Sequence, residues 1–124
     1  MREIKFRGKS MGGHWYYGLL TKKKIRNGDG MMYAIAQGNY SQGNTIPVME
    51  ESVGEYTGMT DKNNVEIYEG DILKTISGLT LEVEYRDGEW CLKGLNKRFT
   101  ASQACICEVV GNVSDRLGDS NDRN

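Results

Sequence analysis

Residues 79–92 carry the pattern of a β-hairpin. Leu79, Leu81, Val83 and Tyr85 alternate with polar residues, which is the period of a strand with one buried face. Asp87-Gly88 follows, a dipeptide typical of the tightest hairpin turns, and residues 89–92 provide the returning strand. This part of the chain therefore predicts an antiparallel sheet.

Short segments of the same kind occupy the rest of the chain, separated by glycine-rich or polar turns. The other predicted strands are residues 2–7, 14–21, 31–36, 45–49, 53–57, 65–68, 72–76 and 108–113. Pro47 lacks a backbone donor, so residues 45–49 are expected at a sheet edge. Residues 100–106 predict one helical turn with Thr100 or Ser102 as its N-cap. Because no longer periodic helix is apparent, we expect a mainly β fold, a small barrel or sandwich.

The apolar positions of these strands predict the core. The expected core residues are Ile67, Ile72, Leu73, Leu81, Val83, Trp90, Val109 and Val113. In the first strand Ile4 and Phe6 should face inward, while Glu3, Lys5 and Arg7 face outward. Residues 8–13 should turn this strand into a hairpin with residues 14–21.

Charge is unevenly distributed along the chain. The 124 residues have a net charge of −1, which argues against a uniformly basic nucleic-acid-binding protein. Residues 1–30, however, hold eight basic and two acidic residues, a charge of +6, and the remainder carries −7. The chain shows no apolar signal-peptide segment and no apolar run that could cross a membrane, so we expect a cytoplasmic protein without membrane contact.

Three cysteines and one histidine raise the question of a zinc site. Cys91, Cys105 and Cys107 with His14 would supply four ligands, but the paired spacing of zinc-binding motifs is missing. An odd cysteine count also argues against a disulfide scaffold. We therefore expect reduced, partly buried thiols and no metal or cofactor.

The densest polar cluster lies between residues 56 and 71. It consists of Tyr56, Thr57, Gly58, Asp61, Glu66, Tyr68, Glu69, Gly70 and Asp71. One interpretation is a divalent-metal or catalytic site formed by Glu66, Glu69 and Asp71. The favoured interpretation is turn chemistry, in which Asp71 accepts backbone N–H groups and Gly58 and Gly70 supply unusual φ angles.

The predicted N-terminal hairpin combines cations with aromatic rings, as surfaces that bind single-stranded nucleic acid do. The candidate residues for nucleic-acid or partner binding are Lys5, Arg7, Trp15, Tyr17, Lys22, Lys23, Lys24 and Arg26. Two alternatives remain open. The charges could form an ordinary solvated face, or the basic segment could meet the acidic remainder within the chain or across an oligomer interface.

The segment VGEYTGMTDKNNVEIYEGDIL, residues 53–73, resembles the central signature of the YopX family of bacteriophage and prophage proteins. MREIKFRG at the N-terminus, YRDGEW at 85–90 and CEVVGNV at 107–113 resemble further family segments, in family order. Asn64 stands where the family usually has Gly, and residues 8–50 match weakly. The matching positions, with structural roles, are Gly54, Tyr56, Thr57, Gly58, Asp61, Ile67, Tyr68, Gly70, Asp71, Trp90, Gly111 and Asn112.

The resemblance implies an SH3-like barrel in the C-terminal half, a phage or prophage origin, and homo-oligomers. It implies no reaction. We therefore expect an N-terminal hairpin and loop extension over 1–50, a barrel core over 51–113 and a flexible polar tail over 114–124. The expected function is non-enzymatic binding or assembly, with a phage or host protein as partner, and nucleic-acid binding by the hairpin is the alternative.

Overall fold

The computed structural model describes residues 3–24, 31–37, 45–95 and 97–115. The chain forms two compact units, residues 1–55 and 56–124. The strands are β1 (Phe6–Lys9), β2 (Trp15–Lys24), β3 (Met31–Ala36), β4 (Thr45–Pro47), β5 (Gly54–Thr60), β6 (Glu66–Tyr68), β7 (Asp71–Lys74), β8 (Thr80–Arg86), β9 (Glu89–Leu92) and β10 (Glu108–Asn112). A 3-10 turn (Glu50–Ser52) and a short helix, α1 (Ala101–Ala104), also form, and residues 113–115 are helical. The expected mainly β fold is confirmed.

The first unit is an antiparallel sheet in the order β4-β3-β2-β1, with the first residues of β5 beside β1. The predicted hairpin is present, since Arg7 pairs with Tyr17 and Lys9 pairs with Trp15. Its turn lies later than expected: the Ser10 N–H donates to the His14 carbonyl (2.9 Å), and Gly8 belongs to β1. Pro47 lies in β4, at the edge of the sheet as predicted.

The predicted burial of the first strand is wrong. Ile4 precedes β1 and is exposed, whereas Arg7 is only 7% exposed. The Arg7 guanidinium carbon lies 4.8 Å from the centre of the Trp15 ring, so the aromatic ring covers the charged group. Alternation alone could not anticipate this, because a long side chain can bury its stem against a neighbouring ring.

The second unit contains the remainder of β5 with β6, and a four-stranded sheet in the order β10-β7-β8-β9. The β8–β9 hairpin has the predicted turn, with positive φ at both Asp87 (55°) and Gly88 (81°). That combination is the type I′ geometry that matches the twist of paired strands. Within the described residues these strands do not form a closed barrel.

The core of the second unit consists of buried side chains from its strands and from α1. They are Ile67, Leu73, Val83, Trp90, Leu92, Phe99, Ala104 and Cys107. Ile72 is also buried, as expected, and Leu81 and Val109 pack against the cluster while partly exposed. Val113, predicted in the core, is half-buried.

Helical segments begin at capped residues. Thr100 precedes α1 as predicted, and its N–H donates to the Gln103 side chain (3.1 Å). Residues 113–115 are helical, and the Asp115 N–H donates to the Asn112 side chain (2.8 Å). The rest of the predicted tail, 116–124, lies outside the described residues. No helix in the described ranges has the length and apolar character to cross a membrane.

Candidate functional site

The Asp61 carboxylate joins two distant parts of the second unit. Its Oδ1 accepts hydrogen bonds from the N–H groups of Asn63 (2.8 Å) and Val65 (2.9 Å), and its Oδ2 accepts one from Val109 (2.9 Å). Burial by itself would raise the pKa of Asp61, but these backbone donors and the Lys62 charge outweigh it and lower the pKa. Asp61 therefore serves as an ionised structural anchor between the 61–65 turn and β10.

The neighbouring motif residues are also engaged with the backbone. The Thr57 hydroxyl donates to the Ile67 carbonyl (2.8 Å), and the Tyr68 N–H donates to Asp71 Oδ2 (2.7 Å). Gly58 and Gly70 have φ angles of 83° and 91°, as the turn interpretation predicts. Together these contacts build the β5–β6–β7 connections.

The backbone conformation of Asn64 also agrees with the turn interpretation. It has a φ of 64°, the left-handed conformation that Asn tolerates better than most residues. Asn can therefore stand where the family usually has Gly.

The acidic cluster does not converge on a metal centre. Asp71 is buried and bonded to backbone, while Glu66 accepts a hydrogen bond from the Tyr68 hydroxyl (3.0 Å). Among the described residues no group of three or more His, Cys, Asp and Glu side chains could hold a metal ion. The described geometry thus assigns the Glu66 and Asp71 carboxylates to hydrogen bonds within the fold.

All three cysteines are free thiols. Cys91 and Cys107 are buried, and Cys105 is exposed. Burial, with the nearby Cys105 and Asp61, raises the pKa of the Cys107 thiol, so it stays protonated and packs as a small apolar side chain.

The candidate hairpin residues are distributed over two faces of the first sheet. Arg7, Lys9, Trp15 and Tyr17 share one face, since they are paired across β1 and β2 or alternate along them. Lys9 Nζ lies 5.9 Å from the Trp15 ring centre on that face. Lys22, by the alternation of β2, lies on the opposite face, with its Nζ 5.3 Å from the Tyr33 ring centre.

Less is described for the remaining hairpin candidates. Lys5 precedes β1 and its Nζ is 3.8 Å from a Glu3 carboxylate oxygen. Lys23 and Lys24 belong to β2, where only their backbone is described, and Arg26 lies outside the described residues. Instead of one basic cluster, the described side chains form an aromatic-cation face and a separate Lys22 position.

A groove of about 330 Å³ lies in the second unit, between three segments. These are the β7–β8 turn, the chain that follows β9, and α1 with the residues after it. The lining residues are Thr75, Ile76, Ser77, Leu92, Leu95, Lys97, Arg98, Phe99, Gln103, Ile106 and Cys107. Ile76 is 77% exposed and Ile106 is 50% exposed, so both present apolar surface at the groove.

Sequence reasoning missed this groove. It assigned Ile76 to the end of a strand, but β7 ends at Lys74 and Ile76 lies in the turn. Ile106 follows α1 instead of packing below it. The available signal was the position of these isoleucines next to turn residues, where an apolar side chain has no strand face to occupy.

The fold and these surfaces define a class of small antiparallel β proteins, built here from two compact units. The family described as YopX protein matches residues 5–116, and the chain belongs to that family. Among solved structures, the chain is similar to protein EF1440 from Enterococcus faecalis, with a TM-score of 0.60 and 23% identity, covering 94% of this chain and 97% of that one. A search of curated proteins found no match.

Proposed function

We propose that the protein is a non-enzymatic binding or assembly protein, encoded by a phage or prophage and acting in the bacterial cytoplasm as a homo-oligomer. The observation that carries the proposal is the preformed groove, with Ile76 and Ile106 exposed beside Lys97 and Arg98. Small-ligand and peptide sites in proteins are concave, mostly apolar and supplied with a few polar groups. Family membership supports the phage origin and the assembly role.

The motif carboxylates support a binding role over a catalytic one. Asp61 and Asp71 are buried and accept backbone N–H groups, so their charge stabilises turns. A general acid or base would instead have to reach a substrate proton.

Affinity capture with matched variants tests the binding role. Wild type, an Ile76→Ser/Ile106→Ser double variant and a Val65→Ser/Val110→Ser control would each be immobilised and exposed to extract from phage-carrying bacteria. All four side chains are substantially exposed, so all three proteins should unfold at similar temperatures. We expect the groove variant alone to lose the retained partner. Equal retention by all three proteins would contradict a role for the groove.

Light scattering tests whether the protein forms the proposed homo-oligomer. A strictly monomeric protein at micromolar concentration would contradict that part of the proposal.

For the second unit we also propose an SH3-like, partly open barrel. The β7–β8–β9 meander, the turn at α1 and the return of β10 beside β7 are consistent with it. The Lys62 N–H donates to the Cys107 carbonyl (3.0 Å), which links the β5–β6 turn to the residue before β10. An experimental structure with β5–β6 detached from β10 would contradict this arrangement.

The aromatic-cation face favours a second candidate function, binding of single-stranded nucleic acid. Trp15 and the exposed Tyr17 lie on the same face as Lys9, and rings beside a cation can stack bases while the cation contacts a phosphate. Arg7 on this face is covered by the Trp15 ring and supports that ring instead. Base stacking contributes about 1–3 kcal/mol per base.

Fluorescence anisotropy with single-stranded DNA and RNA tests this candidate. Tyr17→Ala and Lys9→Ala should weaken binding, whereas Lys22→Ala, a lysine of the opposite face, should leave it nearly unchanged. Each phosphate contact removed should reduce the slope of log affinity against log salt by about 0.7. Absence of binding at low salt would exclude the candidate, and an equal loss in all three variants would place the contacts elsewhere.

A further inference from the structure

The groove has a charge opposite to that of the unit that contains it. Residues 56–124 hold eight basic and twelve acidic residues, a net charge of −4. The groove lining nevertheless includes Lys97 and Arg98 and no carboxylate. A local positive field on an acidic background selects for an anionic ligand and disfavours a cationic one.

Both cations are accessible. Lys97 is exposed, and the Arg98 side chain is 67% exposed. An Arg98 guanidinium nitrogen lies 3.8 Å from a carboxylate oxygen of Glu89, which is itself half exposed. Exposed pairs of this kind are weak, so the Arg98 guanidinium can exchange this partner for a ligand carboxylate.

The rest of the lining is mostly apolar, with Thr75, Ser77 and Gln103 as its polar residues, and local hydrogen bonds hold its turns in place. The Thr75 N–H donates to the Leu79 carbonyl (2.8 Å) and the Gly78 N–H donates to the Thr75 carbonyl (3.0 Å), which fixes the turn that presents Ile76. The Leu95 N–H donates to the Leu92 carbonyl (3.0 Å) on another wall. Preorganised walls lower the entropy cost of binding.

The size of the groove indicates the kind of anion. Its volume of about 330 Å³ lies near the lower end of the ~300–1,000 Å³ of small-ligand pockets. That space suits one or two apolar side chains of a peptide. Two cations are few for nucleic acid, where binding depends on neutralising a series of phosphates.

We propose that this groove binds an acidic peptide segment of a partner protein. A bulky apolar side chain of the segment packs among Ile76, Leu95 and Ile106, and neighbouring Asp or Glu carboxylates pair with Lys97 and Arg98. The inference rests on the proposed binding function and adds the chemistry of the partner to it.

Selection from a displayed library of random short peptides tests the inference with the full-length protein. We expect enriched sequences to place Asp or Glu next to Leu, Ile, Phe or Met. The labelled, enriched peptides would then be titrated against variants by fluorescence anisotropy. Lys97→Ala/Arg98→Ala should weaken binding about tenfold, the sum expected for two exposed charge pairs.

The controls separate charge at the groove from charge elsewhere. Lys62→Ala/Lys93→Ala removes two other lysines of the same unit, both exposed and outside the lining, and should leave peptide affinity unchanged. Ile76→Ser/Ile106→Ser should abolish binding.

The outcomes also separate this inference from the proposed function. Enriched peptides that lack acidic residues yet require Ile76 and Ile106 would leave the groove as a binding site and overturn its acidic preference. If no peptide is enriched, or enriched peptides bind the isoleucine variant as tightly as wild type, both the groove function and this inference fail.

Discussion

At the scale of single residues, one buried carboxylate connects the family motif to the final strand. Asp61 binds the Asn63 and Val65 N–H groups of its own turn and the Val109 N–H, which is 48 residues away in the chain. Three donors around one carboxylate stabilise its charged form. The turn and the start of β10 therefore depend on the ionisation of this side chain.

Asp61→Asn should destabilise the protein by about 1.5–3 kcal/mol at neutral pH, the usual range for hydrogen bonds to a buried charged group. The amide retains one acceptor oxygen and presents an NH₂ group to one of the backbone donors. The folded-state pKa of Asp61 lies below the ordinary value of 3.8. Its contribution is therefore fully present above that value and is lost as the pH falls through the lower folded-state pKa.

Urea unfolding of wild type and Asp61→Asn at neutral and acidic pH checks this prediction. The difference in free energy of unfolding between wild type and Asp61→Asn should narrow as the pH falls below about 4. Asp87→Asn is a matched acid-to-amide control, because Asp87 is exposed and its φ of 55° suits Asn. A gap that stays constant with pH would contradict the role of the Asp61 charge.

Close packing against Val48 requires glycine at position 8. A Cβ atom there would lie 2.7–2.9 Å from the side-chain atoms of Val48, which is buried in the same unit. Gly8→Ala should therefore cost about 1–3 kcal/mol through overpacking. Thermal unfolding checks this against Gly12→Ala, whose Cβ would lie 3.7 Å from its nearest neighbours, the His14 and Ser10 side chains. Equal effects of the two substitutions would contradict the packing argument.

At the scale of elements, the β8–β9 hairpin forms where its local sequence predicts. Its turn requires positive φ at Gly88 (81°), and nothing lies within 4 Å of a Cβ atom built there. Gly88→Ala should therefore cost about 1–2 kcal/mol, purely from the backbone conformation.

Gly111→Ala is the matched substitution for this test. Gly111 also has open space around a built Cβ atom, but its φ is not in the left-handed region. Replacing it should change the free energy of unfolding little. A larger loss for Gly111→Ala than for Gly88→Ala in denaturant unfolding would show that the β10 position, not the hairpin turn, requires glycine.

The elements also determine which candidate residues can act together. β2 places Lys22 on the sheet face opposite to Trp15 and Tyr17, because side chains alternate along a strand. Lys9, which pairs with Trp15, therefore lies on a different face from Lys22. Lys9→Ala and Lys22→Ala therefore each remove a cation from a different face of the sheet.

At the scale of the whole molecule, the charge imbalance follows the two units. Residues 1–55 hold eight basic and five acidic residues, a charge of +3, against −4 for residues 56–124. If the proposed oligomer pairs the basic unit of one copy with the acidic unit of another, salt should weaken it, because charges are screened beyond about 10 Å at 0.1 M.

Light scattering at low and high salt checks this expectation. A falling mean mass with added sodium chloride would support a charged interface. An oligomer that resists salt would indicate an apolar interface instead.

The sequence alone determined the properties that depend on neighbouring residues. Alternation predicted the strand that forms as β8 (Thr80–Arg86), although Leu79 and Tyr85 of its expected buried face are exposed. Asp87-Gly88 predicted its turn, and Thr100 is one of the two predicted N-caps of α1. These are local because side-chain period, φ preference and capping involve only a few consecutive residues. The turn conformations of Asn64 and Gly70 were predictable for the same reason, whereas Gly58, also at positive φ, lies within β5 where its register with β6 shifts.

Only the tertiary structure decided what distant residues do to one another. It buried Arg7 beneath Trp15, gave Asp61 its third donor from Val109, and brought three separate segments around the groove. Strand pattern indicates which side of a sheet a residue faces, but not which chain segment covers that side. The groove and the aromatic-cation face are products of that packing, because each is formed by residues that are distant in the chain.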